Sequence, residues 1–290
     1  MTVQPYFQNP ILQAHLAVFL LGFTGLFGKW VTLPSEQLVL GRVFFASIAL
    51  FIALQFLRRP IRLENKQHYV VLAVLGAVFA IHWIAFYASI QTSTVAIGVL
   101  TFATFPIFVT FLEALVLRRP IAVRDVVVSL IAFAGVTLSV PNPLNFGPFA
   151  QGALLGLLSA LTFGIVVVFN KASASKIPSL SILFYETLFA TVFLLPQLLN
   201  RSVTWNLWTL GQLAVLGVVC TALAYVLLVS SMKQLSAHTV SIVGSLEPVY
   251  GITLAFFLIH EIPTPQTVLG GVLILSAATY VSLKNRDGTV

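Results

Sequence analysis

The sequence predicts an all-α membrane protein with ten transmembrane helices, arranged as two inverted five-helix repeats with N- and C-termini cytoplasmic. Three observations carry that prediction. Of 290 residues, 59% are apolar and 8% charged, against roughly 45–50% and about 25% in an ordinary soluble domain. Fifteen Lys and Arg with eight Asp and Glu cannot cover a globule of this size, so the apolar residues belong in lipid. The cations fall between apolar runs, mostly on one side, and the sequence matches itself at an offset of 142 residues. A water-soluble globular enzyme is excluded.

The spans come first. A helix rising ~1.5 Å per residue needs about 20 mostly apolar residues to cross ~30 Å of hydrocarbon. Ten segments qualify: 11–33, 36–57, 68–90, 94–117, 123–140, 150–171, 179–199, 207–230, 235–259 and 266–283. Between them lie Pro34-Ser35, Arg58-Arg59-Pro60, Arg118-Arg119-Pro120, Pro141-Asn142-Pro143, Ile177-Pro178 and Pro263-Thr264-Pro265, turn and charge markers that end helices. No connection could hold a soluble domain, so any machinery lies inside the membrane. Met1 to Pro10 is uncharged and nine further spans follow the first, unlike a cleaved signal peptide.

Charge then orients the spans. With the N-terminus cytoplasmic, the inner side holds Arg58, Arg59, Arg62, Lys66, Arg118, Arg119, Arg124, Lys171, Lys176, Lys233, Lys284 and Arg286, and the outer side Lys29, Arg42 and Arg201. The net charge of +7 is therefore a topology signal and implies no nucleic-acid partner. The single Cys220 excludes an intramolecular disulfide, and nothing calls for a metal or another cofactor. The partners implied are the lipid bilayer and a small-molecule substrate.

At the 142-residue offset Gly22 falls on Gly164, Phe27 on Phe169, Lys29 on Lys171, Trp83 on Tyr225, Ser89 on Ser231, Thr94 on Ser236 and Pro106 on Pro248. The match runs without a gap from the third span to the fifth, and slips by about two residues near the second, where Ala46 pairs with Ala190. Each half, 1–142 and 143–290, holds five helices. Five is odd, so the halves face opposite ways, a plan recurrent in secondary transporters with the substrate site near the midplane. Duplication without functional consequence is the competing reading.

These features together resemble the drug/metabolite transporter superfamily, in its EamA-type ten-helix branch. They are Gly25-Leu26-Phe27-Gly28-Lys29-Trp30, Arg42, Phe86 through Ser93, Pro106, Ala222 through Tyr225, Ser231-Met232-Lys233, Ser245 through Tyr250, Ile259-His260-Glu261 and Gln266 through Gly271. Arg118-Arg119-Pro120 departs from the Gly-Glu pair common at that place in the family. The resemblance implies a gradient-linked exporter of small metabolites, often amino acids, in the bacterial inner membrane, from a chemically diverse branch.

Polar groups inside a span are costly and so become candidates. Glu247 lies about 12 residues, ~18 Å, into its span. Pro248 opens the helix there and frees the carbonyl of Gly244. A carboxyl group at that place could carry the coupling proton or meet an ammonium; hydrogen-bonded structural glue is the alternative. His82 and Trp83, with Phe86 one turn on, form a mid-membrane aromatic cluster, and Tyr225 is the repeat counterpart of Trp83. Pro106 frees the carbonyl of Phe102, so the cavity is expected between the third, fourth, eighth and ninth spans, lined by Phe102, Phe105 and Tyr250. Nearer the span ends, Arg42, Lys171 and Glu186 suit gates, with a Lys171–Glu186 pair closing the cytoplasmic mouth; snorkelling competes, most strongly for the lysine. Gly152, Gly156, Ala160 and Gly164 make a ladder that admits a close helix neighbour.

No Walker loop, His-Glu-x-x-His or Gly-x-Ser-x-Gly motif occurs. The expected activity is therefore secondary export of a small polar metabolite, an amino acid or similar compound, by alternating access. The alternatives are a proton-coupled multidrug or cation exporter, and a lipid flippase or intramembrane lipid enzyme.

Overall fold

A computed structural model describes residues 9–118, 120–141, 145–173, 176–199, 205–235 and 237–284. Arg119, Asn142, Pro143, Arg201, Ser236 and Arg286 lie outside them. The described residues are helical, without strands. In chain order the helices are α1 (Pro10–Trp30), α2 (Ser35–Phe56), α3 (Lys66–Thr92), α4 (Val95–Phe102), α5 (Phe105–Leu117), α6 (Val123–Ser139) and α7 (Pro148–Ser173). Then follow α8 (Ser179–Leu194) with a 3-10 turn, α9 (Leu207–Ala214), a π-helix over Val215–Leu223, α10 (Ala224–Ser231), α11 (Ala237–Gly244), α12 (Glu247–Ile259) and α13 (Pro265–Lys284). Among the described residues seven helical stretches, one of them the α4–α5 pair, are long and apolar enough to cross a membrane.

Local chemistry starts these helices. Asn9, Asn65, Thr94 and Asn206 cap α1, α3, α4 and α9 by accepting from backbone N–H groups of the first turn. The expected spans 94–117 and 235–259 are each two half-helices, broken at Ala103–Thr104 and Ser245–Leu246. Pro106 and Pro248 take the second position of the following half-helix, where a missing N–H costs nothing but the preceding helix cannot run through. Phe105 and Glu247 are thus equivalent first residues, 142 positions apart. Arg118 and His260, also 142 apart, end α5 and α12 in left-handed geometry at φ 52° and 56°.

The gapless register expected from the third span onward breaks at the π-helix. A Cβ on Gly76 would meet the Glu186 carbonyl, Phe189 and Ala190; one on Gly217 would meet the Arg42 carbonyl, Phe45 and Ala46. These glycines are equivalent, yet seven residues separate Gly76 from Trp83 and eight separate Gly217 from Tyr225. The extra residue is absorbed by the wider π turn, as single-residue insertions in helices commonly are. Thr221 Oγ1, donating to Leu216 O at 2.8 Å, lies inside that turn.

Packing follows the repeat. α3 packs on α7 and α8, while the α9–π–α10 run packs on α1 and α2; α2 faces α8 and α6 faces α13. Equivalent helices meet by opposite ends. The Glu261 carboxylate, just past α12, accepts from Val95 N at 3.0 Å and Ala96 N at 2.9 Å, at the start of α4. Likewise Thr267 near the start of α13 donates to Ser139 O at the end of α6. Lys29 Nζ donates to Ser93 O on this same end at 2.8 Å.

At the other end, rich in cations, Tyr185 and Ser181 of α8 donate to the Ile61 and Pro60 carbonyls of the α2–α3 loop. The glycine ladder of α7 seats it on α3 to α5: a Cβ on Gly156 would strike Thr101 and Ser89, and Ser89 Oγ donates to Gly152 O at 2.6 Å. α6 presents Leu130 and Phe133 outward at 65% and 59% exposure, an apolar belt fit for lipid.

Candidate substrate-binding site

Among the described residues one Lys or Arg is fully buried. Arg42, two turns into α2, is 0% exposed. Its guanidinium lies flat on the Trp83 indole, 3.3 Å from the ring centroid to Cζ. Nε donates to Thr221 Oγ1 at 2.9 Å and one Nη1 proton to Tyr87 OH at 2.8 Å. Trp83 and Tyr87 stand four apart on one face of α3, and Thr221 comes from the π-helix of the other half. Three elements and both halves of the chain therefore fix one side chain. Nη2 and Trp83 Nε1 have no hydrogen-bond partner among the described residues.

Beside it runs a continuous aromatic wall. Trp83 meets Phe86 edge-on at 5.4 Å, Phe86 meets Phe102 at 5.5 Å, and Phe102 stacks on Phe105 at 5.4 Å. Phe163 of α7 closes the wall against Phe102, Phe105 and His82. His82 is buried inside the wall, with Nδ1 at 3.0 Å from Ser159 O and 2.9 Å from Ser159 Oγ, while Nε2 has no partner among the described residues. Its packing is thus set by α7 rather than by an open pocket.

The second half supplies carboxyl and phenol groups. Tyr225 is the second residue of α10 and Glu247 the first of α12; both are half-buried. Glu247 lies within electrostatic reach of Arg42, and Tyr225 within reach of Arg42, Glu247 and Glu186. Glu186 is 2% exposed on α8, at the position equivalent to Arg42, and its hydrogen-bonding neighbour is Asn170 of α7.

Of the expected site residues, His82, Trp83, Phe86, Phe102 and Phe105 form one cluster, and Tyr225 and Glu247 come within electrostatic reach of Arg42 beside it. Tyr250 does not join them. Its hydroxyl bonds His15 Nδ1 at 3.0 Å and its ring meets Phe19 edge-on, so although it lies one turn from Glu247 on α12 its side chain packs on α1. The expected Lys171–Glu186 pair is also corrected: Lys171 Nζ sits 2.9 Å from Glu113 Oε1 with its side chain 64% exposed, and it is the adjacent Asn170 that turns toward Glu186. Tyr87, Ser159, Phe163, Asn170 and Thr221 were not anticipated. Tyr87 was signalled by its four-residue spacing from Trp83.

Two crevices open at the cation-rich end. One, of about 280 Å³, lies between α2, α8 and α10 with Arg59 and Lys233 on its rim. The other, about 200 Å³, lies between α3 and α7 beside His68 and Lys176. Both are smaller than the ~300 Å³ typical of a small-molecule pocket, and neither includes the Arg42 cluster.

The sequence profile of the EamA-like transporter family matches twice, over residues 8–140 and 150–283. An uncharacterized transporter of Archaeoglobus fulgidus is 29% identical over 268 residues, 90% of this chain and 92% of the relative. An S-adenosylmethionine uptake transporter of Rickettsia bellii is 26% identical over 250 residues, 86% and 84% of the two chains. The pseudopaline exporter CntI of Pseudomonas aeruginosa is 25% identical over 254 residues, 87% of each. One crystal structure superposes at a TM-score of 0.66 and 15% identity, covering 95% of this chain and 98% of its own, a likeness of fold.

Proposed function

This chain belongs to the EamA-like transporter family, and from that premise we propose that it exports a small polar metabolite, an amino acid or amino-acid-like compound, by alternating access. It is an integral membrane transporter and not an enzyme. The observation that carries the substrate class is a buried guanidinium seated against an aromatic wall in the interior, with a carboxyl and a phenol of the other half within its electrostatic reach. A zwitterion with an apolar side chain is complementary to such a set, and a hydrocarbon or lipid tail is not.

In this reading the chain has ten spans in two inverted five-helix repeats, 1–142 and 143–290, with both termini cytoplasmic in a bacterial inner membrane. The doubled family match and the meeting of equivalent helices by opposite ends support it. Halves of opposite orientation can exchange conformations, so the inward- and outward-open states become nearly equivalent in energy. Glu247 carries the coupling proton. Arg42 and Glu186, equivalent residues about two turns from opposite ends, close the path on either side, with Lys171 on the cytoplasmic rim.

Relatives bear the names of an uptake transporter and of an exporter, so direction needs its own test. Cells overexpressing the protein are challenged with toxic amino-acid analogues and, separately, with cationic drugs. Export of amino-acid-like compounds gives resistance to the analogues alone. Heightened sensitivity to them reverses the direction, and resistance to the drugs alone replaces this reading with cation export.

A further inference from the structure

Every interior charge needs a partner, and among the described residues Arg42 has no acid in direct contact: Glu247 acts on it only at a distance. Its guanidinium is 0% exposed, yet no carboxylate among the described residues lies within ion-pairing distance of it. Its two hydrogen bonds go to neutral hydroxyls, on Thr221 and Tyr87. Removing a cation from water costs several kcal/mol, which neutral partners and one indole face recover only in part. A buried structural arginine is ordinarily matched by an acid.

The geometry narrows what would match it. Trp83 covers one face of the guanidinium plane at 3.3 Å. Thr221 takes Nε–H, and Tyr87 takes one of the two Nη1–H groups. What is left is Nη2, without a partner among the described residues, and the second proton of Nη1. Those two nitrogens form the end-on fork of the guanidinium, the edge that a planar carboxylate engages through two parallel hydrogen bonds. The indole and the two hydroxyls hold the plane fixed, so the fork is oriented before a ligand arrives.

We propose that Arg42 is the anchor for a carboxylate on the transported solute, so that the substrate class is carboxylate-bearing, anionic or zwitterionic. The proposal rests on the transport reading above and deepens it by naming the group on the solute that Arg42 takes. Because α2, α3 and the π-helix all hold the anchor, a bound carboxylate ties the two halves of the chain together. The aromatic wall from Trp83 to Phe105 then takes the apolar part of the solute. The Nη2 atom is enclosed in this conformation, so the carboxylate enters when neighbouring helices part.

The test uses the full chain purified in detergent, with thermal unfolding and tryptophan fluorescence as readouts. Three probe sets are compared at equal concentration: the twenty protein amino acids, their carboxamides, and the corresponding decarboxylated amines. At least one acid should raise the unfolding temperature where its amide and amine do not. Arg42→Lys, which keeps the charge but loses the fork, should weaken binding of that acid about tenfold. Arg42→Gln should abolish the preference for the acid. Without any ligand, Arg42→Gln should stay folded, losing its bonds to Thr221 and Tyr87 but also an unmatched buried charge, with a fall in unfolding temperature of no more than about 5 °C.

The anchor is overturned if amides or amines bind as well as acids, or if Arg42→Gln keeps the acid preference. It is equally overturned if Arg42→Gln fails to fold or loses more than about 5 °C without ligand, the mark of a structural arginine. Binding of amines alone removes the anchor and leaves transport standing. Binding of none of the three sets removes both the anchor and the amino-acid-like substrate.

Discussion

Replacing Glu261 by Gln should loosen the start of α4 without unfolding the protein. The carboxylate accepts two backbone N–H bonds, 3.0 Å from Val95 and 2.9 Å from Ala96, at the positive end of a half-helix dipole. A hydrogen bond to a charged acceptor contributes about 1.5–3 kcal/mol, a neutral one about 1. Gln keeps one carbonyl acceptor and loses the charge, so about 2 kcal/mol disappears at a partly exposed site. That corresponds to a roughly 30-fold rise in the population with the end of α4 released. Amide hydrogen exchange followed by mass spectrometry reads this population directly. Peptides covering residues 93–102 should exchange faster by that factor in Glu261→Gln, with α2 and α8 unchanged. Exchange in α4 at the wild-type rate would refute the idea that this contact holds the two halves together at that end.

Three further outcomes follow from the same contacts. Gly156→Ala drives a Cβ into Thr101 and to 3.1 Å from Ser89 Oγ, so stability should fall by about 1–3 kcal/mol, seen as a lower unfolding temperature; an unchanged value would mean that α7 is not seated on α3 and α4. His260→Gly and Arg118→Gly relieve left-handed backbone at residues with a Cβ and should each stabilise by up to about 1 kcal/mol, again read by thermal unfolding, where a loss would contradict that geometry. Glu247→Gln should leave the fold intact and flatten the pH dependence of solute flux in proteoliposomes; a wild-type profile would end its proposed proton role.

Much of the helix order was legible because lipid removes the ambiguity between buried and exposed faces: long apolar runs ended by Pro and Arg leave few alternatives. The paired breaks before Pro106 and Pro248 were legible for the same local reason, since a proline removes one specific hydrogen bond. The π-helix was not. Val215 to Leu223 has Thr221 as its one hydroxyl among apolar residues and glycine, too little polar pattern for an added residue to be noticed. The Arg42 bed was half legible: Trp83 and Tyr87 share a face by spacing alone, whereas Thr221 lies 179 residues from Arg42 and meets it only through helix packing. Lys171 illustrates the opposite error. Its charge suggested Glu186 as partner, but an exposed ion pair contributes at most about 1 kcal/mol, too little to override the helix packing that sets Lys171 over Glu113.

The central claim is that this chain moves a small polar solute by alternating access, driven by gradients alone. Counterflow tests it most directly. Proteoliposomes containing only this protein are preloaded with an unlabelled amino-acid mixture, diluted into trace labelled amino acids, and followed without ATP. The account predicts transient accumulation of label above equilibrium, greater than in vesicles loaded with buffer and lost in Arg42→Gln. Equal, slow equilibration with either loading, together with scrambling of a fluorescent phospholipid, would contradict it.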